Sequence, residues 1–205
     1  MKAIILEPNN FPDKAIRSLL DFNINVKKNY LEQIDLSNIL RNYDIIFTRL
    51  NYKFDSKLNF DSCRTKYIVS PTTGLSHIDF KYLKNKYQIQ TISFYEDKSK
   101  LEQIKSTSEL TILHLLNFYR KWNNALNDVK YNKIFDRTRY LGKDISDQTI
   151  GIIGFGRLGK ITSKILNGFG CKIIVFDNDK EIEIPDTVNK ALSLREIALK
   201  CESII

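Results

Sequence analysis

The residues best suited to do chemistry are the glycines of Gly154-Phe155-Gly156-Arg157-Leu158-Gly159 together with Asp177. A glycine string of this spacing means little alone. It gains meaning between a strand and a helix, with a second strand behind. There each glycine has a separate task. Gly154 lets the chain turn sharply out of a strand. Gly156, lacking a side chain, lets a pyrophosphate approach the backbone. Gly159 lets the following helix pack close to the sheet. The start of that helix offers free N–H groups and a partial positive charge to phosphates. Asp177 ends the second strand about twenty residues further on, where a carboxylate can accept the ribose hydroxyls of a dinucleotide. A 2′-phosphate would face that charge, and Asp179 and Glu181 are close by with no Arg directly following. The constellation therefore favours NAD over NADP. The competing structural reading is a strand–helix–strand unit whose glycines only permit tight packing.

These residues need a particular scaffold, and the sequence supplies its pattern. Residues 149–154 and 172–176 are apolar runs of buried-strand type, flanking a helix over 157–167. Ser193, with Glu196 three residues later, has the form of a capping box opening a further helix. Residues 202–205 look like the start of a third strand of this unit. The first hundred residues alternate in the same way. Strands are expected at 2–6, 25–26, 44–47, 66–70 and 90–93, and helices at 13–21, 36–41 and 79–86. Such alternation implies βαβ units and parallel sheets. The longest helix is expected at 107–126, with Leu110, Leu113, His114 and Asn117 on one side and Ile112, Leu115, Leu116 and Tyr119 on another. Being apolar nearly all round, it should be buried between layers. A polar loop follows, to about residue 148.

Composition narrows the class. Of 205 residues, 42% are hydrophobic and 27% charged, the balance of an ordinary globular protein. No apolar run is long enough to span a membrane, and the apolar stretch after Met1 is too short for a signal peptide, so the cytoplasm is the expected location. The net charge of +8 comes from lysines spread along the chain and mixed with Asn, Asp and Glu. Without a dense basic tract, a nucleic-acid partner is not expected. Cys63, Cys171 and Cys201 lie far apart with no CxxC spacing, which fits reduced thiols and no metal site. Cys171 and Cys201 should pack beside or within strands.

The run Gly151-Ile152-Ile153-Gly154-Phe155-Gly156-Arg157-Leu158-Gly159-Lys160 resembles the D-isomer-specific 2-hydroxyacid dehydrogenases, and the chain looks closest to members similar to phosphoglycerate dehydrogenase. Other stretches agree in order. The segment Ser70-Pro71-Thr72-Thr73-Gly74-Leu75-Ser76-His77-Ile78-Asp79 resembles the family's substrate loop. The segment Ser106-Thr107-Ser108-Glu109-Leu110-Thr111 resembles the start of its inter-domain helix. Phe135-Asp136-Arg137 and Gly142 resemble the residues before its dinucleotide strand. The resemblance implies an α/β fold of two Rossmann-like or flavodoxin-like parallel-sheet domains. Residues 1–104 would be the first part of a substrate-binding domain. Residues 105–205 would be the first part of an NAD-binding domain, incomplete here. The implied activity is NAD-dependent hydride transfer on a D-2-hydroxy acid or 2-keto acid, in a homodimer. A non-catalytic NAD-binding or sensing module is the alternative.

Carried over by residue, Thr73 and Gly74 would give backbone N–H groups to the substrate carboxylate. Thr107 would sit near the nicotinamide, and Arg157 and Leu158, with Phe155 between the first glycines, near the pyrophosphate. Thr72 stands where the family often has a second Gly, and His77 where it commonly has Asn. Arg49, after an apolar strand, is either a grip on an acidic substrate or a surface arginine. Glu109 is expected to bond a nearby backbone or loop group. The family's Arg, Glu and His would all follow the third strand of the NAD domain, where this chain stops, so no catalytic residue is expected within it. Its two histidines do not replace them: His114 is expected inside an apolar helix, and His77 has no Glu evidently placed to tune it. A chain ending there would be inactive and poorly stable alone.

Overall fold

The computed structural model describes residues 1–9, 11–30, 35–95 and 97–205. The chain divides into two compact units, Met1–Leu101 and Glu102–Ile205. Each is built on its own parallel sheet.

The first unit runs β1 (Lys2–Ile5), α1 (Asp13–Asp21), β2 (Asn25–Lys28), α2 (Leu36–Asn42), β3 (Ile45–Phe47), β4 (Tyr67–Ser70), α3 (Phe80–Tyr87) and β5 (Gln90–Ser93). Its strand order is β2-β1-β3-β4-β5, and every pairing is parallel. This is the flavodoxin-like winding, which reverses direction between β1 and β3. Helix starts follow side-chain chemistry. The Asp35 carboxylate accepts from the amides of Ser37 and Asn38, and Asp79 accepts from Tyr82. Leu40, Ile46, Phe54, Ile68, Leu83 and Ile89 fill the core, each stabilising by about 1.5–3 kcal/mol through burial. Asp44 is buried beside it. Its carboxylate accepts from Arg64 Nε at 2.8 Å, Arg64 Nη2 at 3.2 Å and the Lys2 amide at 2.7 Å.

The second unit runs α5 (Ser106–Arg120), α6 (Trp122–Asn127), β6 (Thr149–Ile153), α7 (Arg157–Asn167), β7 (Lys172–Phe176), β8 (Asn189–Lys190), α8 (Leu194–Lys200) and β9 (Ser203–Ile204), with α4 (Lys98–Gln103) before it. Its sheet has the order β8-β7-β6-β9. Counted within the unit this is 3-2-1-4, the first part of the dinucleotide-binding winding. The last strand is therefore the fourth and not the third. The sequence pattern missed β8 because it has only two residues, both polar and exposed. Ser193 caps α8 by accepting from the Glu196 amide, while Glu196 reaches back one residue further than a capping box requires, to Leu192.

The long helix differs most from expectation. It stops at Arg120, because Lys121 turns into the left-handed region (φ 51°), and α6 starts afresh after it. Nor is it buried all round. Ile112 and Tyr119 pack into the core, with Leu115 and Leu116 against it. Leu113 and Phe118 are 59% and 70% exposed. His114, on that open side, is exposed as well. The unit has core on one flank of the helix only. The polar stretch after α6 contains a π turn, Asp128–Asn132, and two 3-10 turns, Arg137–Tyr140 and Ile145–Asp147. Among the described residues no helix is long and apolar enough to cross a membrane.

Candidate functional site

The glycine turn has the geometry its spacing requires. Gly154 leaves β6 with φ 94°, a conformation that L side chains rarely adopt, and its amide donates to the Phe176 carbonyl at 2.8 Å. A Cβ on Gly159 would lie 2.2 Å from the Gly154 carbonyl oxygen, so only glycine lets α7 come this near the strand end. A Cβ on Gly156 would meet nothing within 4 Å, so the space in front of this N-cap is open. A helix start of this kind offers backbone N–H groups and a partial positive charge, which suit an anion.

Asp177 turns toward the glycines. Its Oδ2 accepts from the Phe155 amide at 2.6 Å, and its Oδ1 from the Asp179 amide at 2.9 Å. These two N–H groups, Asp179 first, hold its carboxyl below the usual carboxylate range, with Lys190 adding to the effect. The carboxylate is thus ionised, and each oxygen keeps a lone pair for a further donor. Phe155 is 1% exposed and lies in the core. Only its backbone belongs to the turn.

Arg157 and Leu158 bind the turn to α5, which the sequence did not reveal. Arg157 Nη1 donates to the Ile104 carbonyl at 2.8 Å, and Ser108 Oγ donates to the Leu158 carbonyl at 3.4 Å. Ser108 is buried, and its small side chain is the signal that could have pointed to a close crossing. Thr107, beside it in the first turn of α5, is exposed. Gly142 packs against the other end of this helix, where a Cβ would lie 2.3 Å from the Tyr119 carbonyl oxygen. Glu109 is exposed, and its side chain makes no hydrogen bond or ion pair among the described residues, so the expected tie from its carboxylate to a neighbouring group is not formed. A concavity of about 730 Å³ in this unit is lined by Asn117, Phe118, Leu141 and Lys143 among others and includes none of the glycine-turn residues. A dinucleotide lies along an open groove at strand ends, so the turn and not this concavity is the candidate site.

In the first unit the chain segments after β1, β3 and β4 meet at the carboxyl end of the sheet. Glu7, two residues past β1, accepts at its carboxylate from the amides of Arg49, Leu50 and Asn51 and from Thr48 Oγ1. No sequence pattern hints at this, because nothing in spacing links Glu7 to residues about forty positions away. The Arg49 side chain is exposed. After β4, Thr73 and Gly74 are exposed, and neither amide donates to any group among the described residues. His77 is buried, with its Nε2 3.3 Å from Ser70 Oγ. Burial pushes its pKa down, partly opposed by the Glu7 charge. Cys171, just before β7, is buried, and Cys201 ends α8 with its sulfur beside Gly151. Burial raises both thiols, so neither is a ready nucleophile.

Residues 112–205 match the family described as D-isomer specific 2-hydroxyacid dehydrogenase, NAD binding domain. The chain is similar to a D-specific alpha-keto acid dehydrogenase of Enterococcus faecium, 29% identical over 121 residues, which cover 58% of this chain and 34% of that protein. It is similar to a hydroxypyruvate reductase of Thermotoga maritima, 27% identical over 163 residues, covering 79% of this chain and 51% of that one. Two solved structures share the fold over all of this chain. One is a D-lactate dehydrogenase from Aquifex aeolicus complexed with NAD and lactic acid (TM-score 0.76, 19% identity, 59% of that chain covered). The other is an NAD-dependent formate dehydrogenase from Staphylococcus aureus in complex with NAD (TM-score 0.80, 18% identity, 64% covered). The chain spans about half or less of the length of these two curated relatives.

Proposed function

We propose that this chain, whose residues 112–205 match the NAD binding domain of the D-isomer specific 2-hydroxyacid dehydrogenases, belongs to that family and serves NAD-dependent hydride transfer on a D-2-hydroxy acid or its 2-keto acid. The observation that carries this reading is the Asp177 carboxylate held at the edge of a strand–glycine–helix turn by the Phe155 amide. Gly154, Gly156 and Gly159 shape the turn, and the first amides of α7 meet the pyrophosphate, beside Arg157 and Leu158. Asp177 takes the ribose hydroxyls and disfavours a 2′-phosphate by charge. Thr107 lies toward the nicotinamide, which when bound gives or takes the hydride. In this reading residues 105–205 are the NAD-binding part and 1–104 the substrate-binding part.

In the first part, Thr73 and Gly74 offer their unused amides to the substrate carboxylate. Backbone donors suit this task because they hold an anion without a side chain that must be ordered. Neither histidine serves as the catalytic acid: His114 is exposed on α5 and His77 is enclosed behind the loop. A second copy of the chain covers the apolar side of α5 and α6, where Leu113, Phe118 and Trp122 are exposed. Titration of this chain with NADH, followed by turnover of the whole protein on a panel of 2-keto acids, tests the function. Saturable binding with turnover supports it. Binding without turnover favours a non-catalytic NAD module, and no binding rejects both.

A further inference from the structure

We propose that His77 is a positioning residue for the Thr73-Gly74 loop and acts on it through the hydroxyls of Ser70 and Thr72. The inference rests on the reading of that loop as the place where a substrate carboxylate is held. Four groups stand in series. His77 Nε2 is 3.3 Å from Ser70 Oγ, Ser70 Oγ is 2.8 Å from Thr72 Oγ1, and Thr72 Oγ1 is 2.8 Å from the Gly74 carbonyl oxygen.

Proton counting gives the series one direction. The Gly74 carbonyl can only accept, so Thr72 spends its one hydroxyl proton there. Ser70 must then donate to Thr72, since otherwise two oxygens would face each other with lone pairs only. Ser70 has no second proton, so it accepts from His77. The ring is therefore the neutral Nε2–H form, and Nδ1 keeps a bare lone pair. Nδ1 is buried and has no hydrogen-bond partner among the described residues. An imidazolium would need an acceptor there, so the enclosure disfavours it too, in line with the downward push of burial on this ring.

The ring is a firm anchor. His77 is 5% exposed and Ser70 1%. The His77 carbonyl accepts from the Phe54 amide at 2.8 Å, and the Asp79 amide donates to the Phe54 carbonyl at 2.9 Å, so the backbone on both sides is pinned. The far end of the series holds the carbonyl of Gly74 and leaves the amides of Thr73 and Gly74 unused. Thr72 and His77 are thus one device. A glycine at position 72 would lack the middle link, and an asparagine at 77 would change the donor that sets its direction.

Long-range proton–nitrogen NMR on the 205-residue chain reads the ring directly, and a native-chain measurement needs no variant to fold. The expected result is a single Nε2–H tautomer. In Thr72→Val, Ser70 is free to donate to Nε2, so the ring should move to Nδ1–H or a mixture, and Thr72→Ser should restore it. Oxamate, a 2-keto acid analogue, should shift the Thr73 and Gly74 amides and bind about five-fold more weakly to Thr72→Val than to the native chain or Thr72→Ser. A native ring in the Nδ1–H form, or an unchanged ring in a folded Thr72→Val chain, overturns the series whether or not oxamate binds. An Nε2–H ring in a native chain whose loop amides ignore oxamate overturns the carboxylate reading of the loop, and with it the substrate role of His77.

Discussion

The two units solve the same problem differently. Each exposes backbone amides at the carboxyl end of a parallel sheet, and each must fix a turn to do so. In the second unit the turn is fixed by missing side chains: Gly154 at φ 94° and Gly159 against the Gly154 carbonyl. In the first it is fixed by side chains, namely Ser70, Thr72 and His77 behind the loop and Glu7 on the amides of Arg49–Asn51. Stereochemical solutions leave a spacing in the sequence. Hydrogen-bonded ones leave scattered polar residues that only the fold brings together.

That difference can be broken by substitution, and the glycine side should break hardest. Gly159→Ala puts a Cβ 2.2 Å from a backbone oxygen, and the cost is expected to be about 3 kcal/mol, read as a lower urea midpoint for the second unit. NADH binding should vanish with it. An Ala variant as stable as the native chain would mean that α7 does not approach the strand so closely.

Asp44 offers a smaller effect in the other unit, at a site with no part in binding. Asp44→Ala removes the acceptor for both Arg64 and Lys2 and should cost about 2 kcal/mol. Arg64, by its hydrogen bonds, holds the Asp44 carboxyl below the ordinary value. Its folded pKa lies under its unfolded one, so the stabilisation is fully present above the unfolded value. It is lost as pH falls through the folded one. Acid unfolding of the native chain should therefore show a stability loss at low pH that the Ala variant lacks.

Glu7→Gln sharpens the contrast further. It keeps the side-chain length but weakens acceptance from the Arg49, Leu50 and Asn51 amides. The expected cost is about 1 kcal/mol, with faster hydrogen exchange confined to those amides. Equal exchange in the two chains would show that Glu7 does not fix this segment. The smallest effect concerns acid. Asp177 is half-buried, and backbone amides hold its carboxyl below the usual carboxylate range, so NADH affinity should be flat near neutrality. It should fall only as pH drops through a value below that of a free carboxylate.

The sequence conveyed the alternation of strands and helices, the parallel sheets, the helix between residues 157 and 167, the sharp turn at Gly154 and the close approach at Gly159. These follow from local sterics and from apolar runs. It did not convey β8, whose two polar residues lack any apolar signal, or the stop at Lys121, which takes a left-handed φ without a Gly or Pro to mark it. The open side of α5 was hidden for a further reason. Leu113 and Phe118 are apolar like Ile112 and Tyr119, and composition does not say on which flank the core lies. The link from Ser108 to Leu158 and that from Glu7 to Arg49 needed the fold itself.

The central claim is that the glycine turn and Asp177 together hold NAD. Fluorescence titration of the native chain and of Asp177→Ala with NADH and NADPH tests it most directly. The native chain should bind NADH saturably and about ten-fold or more tighter than NADPH, and the variant should lose that preference. No binding of either nucleotide, or an Asp177→Ala chain with unchanged affinity and preference, would contradict the account.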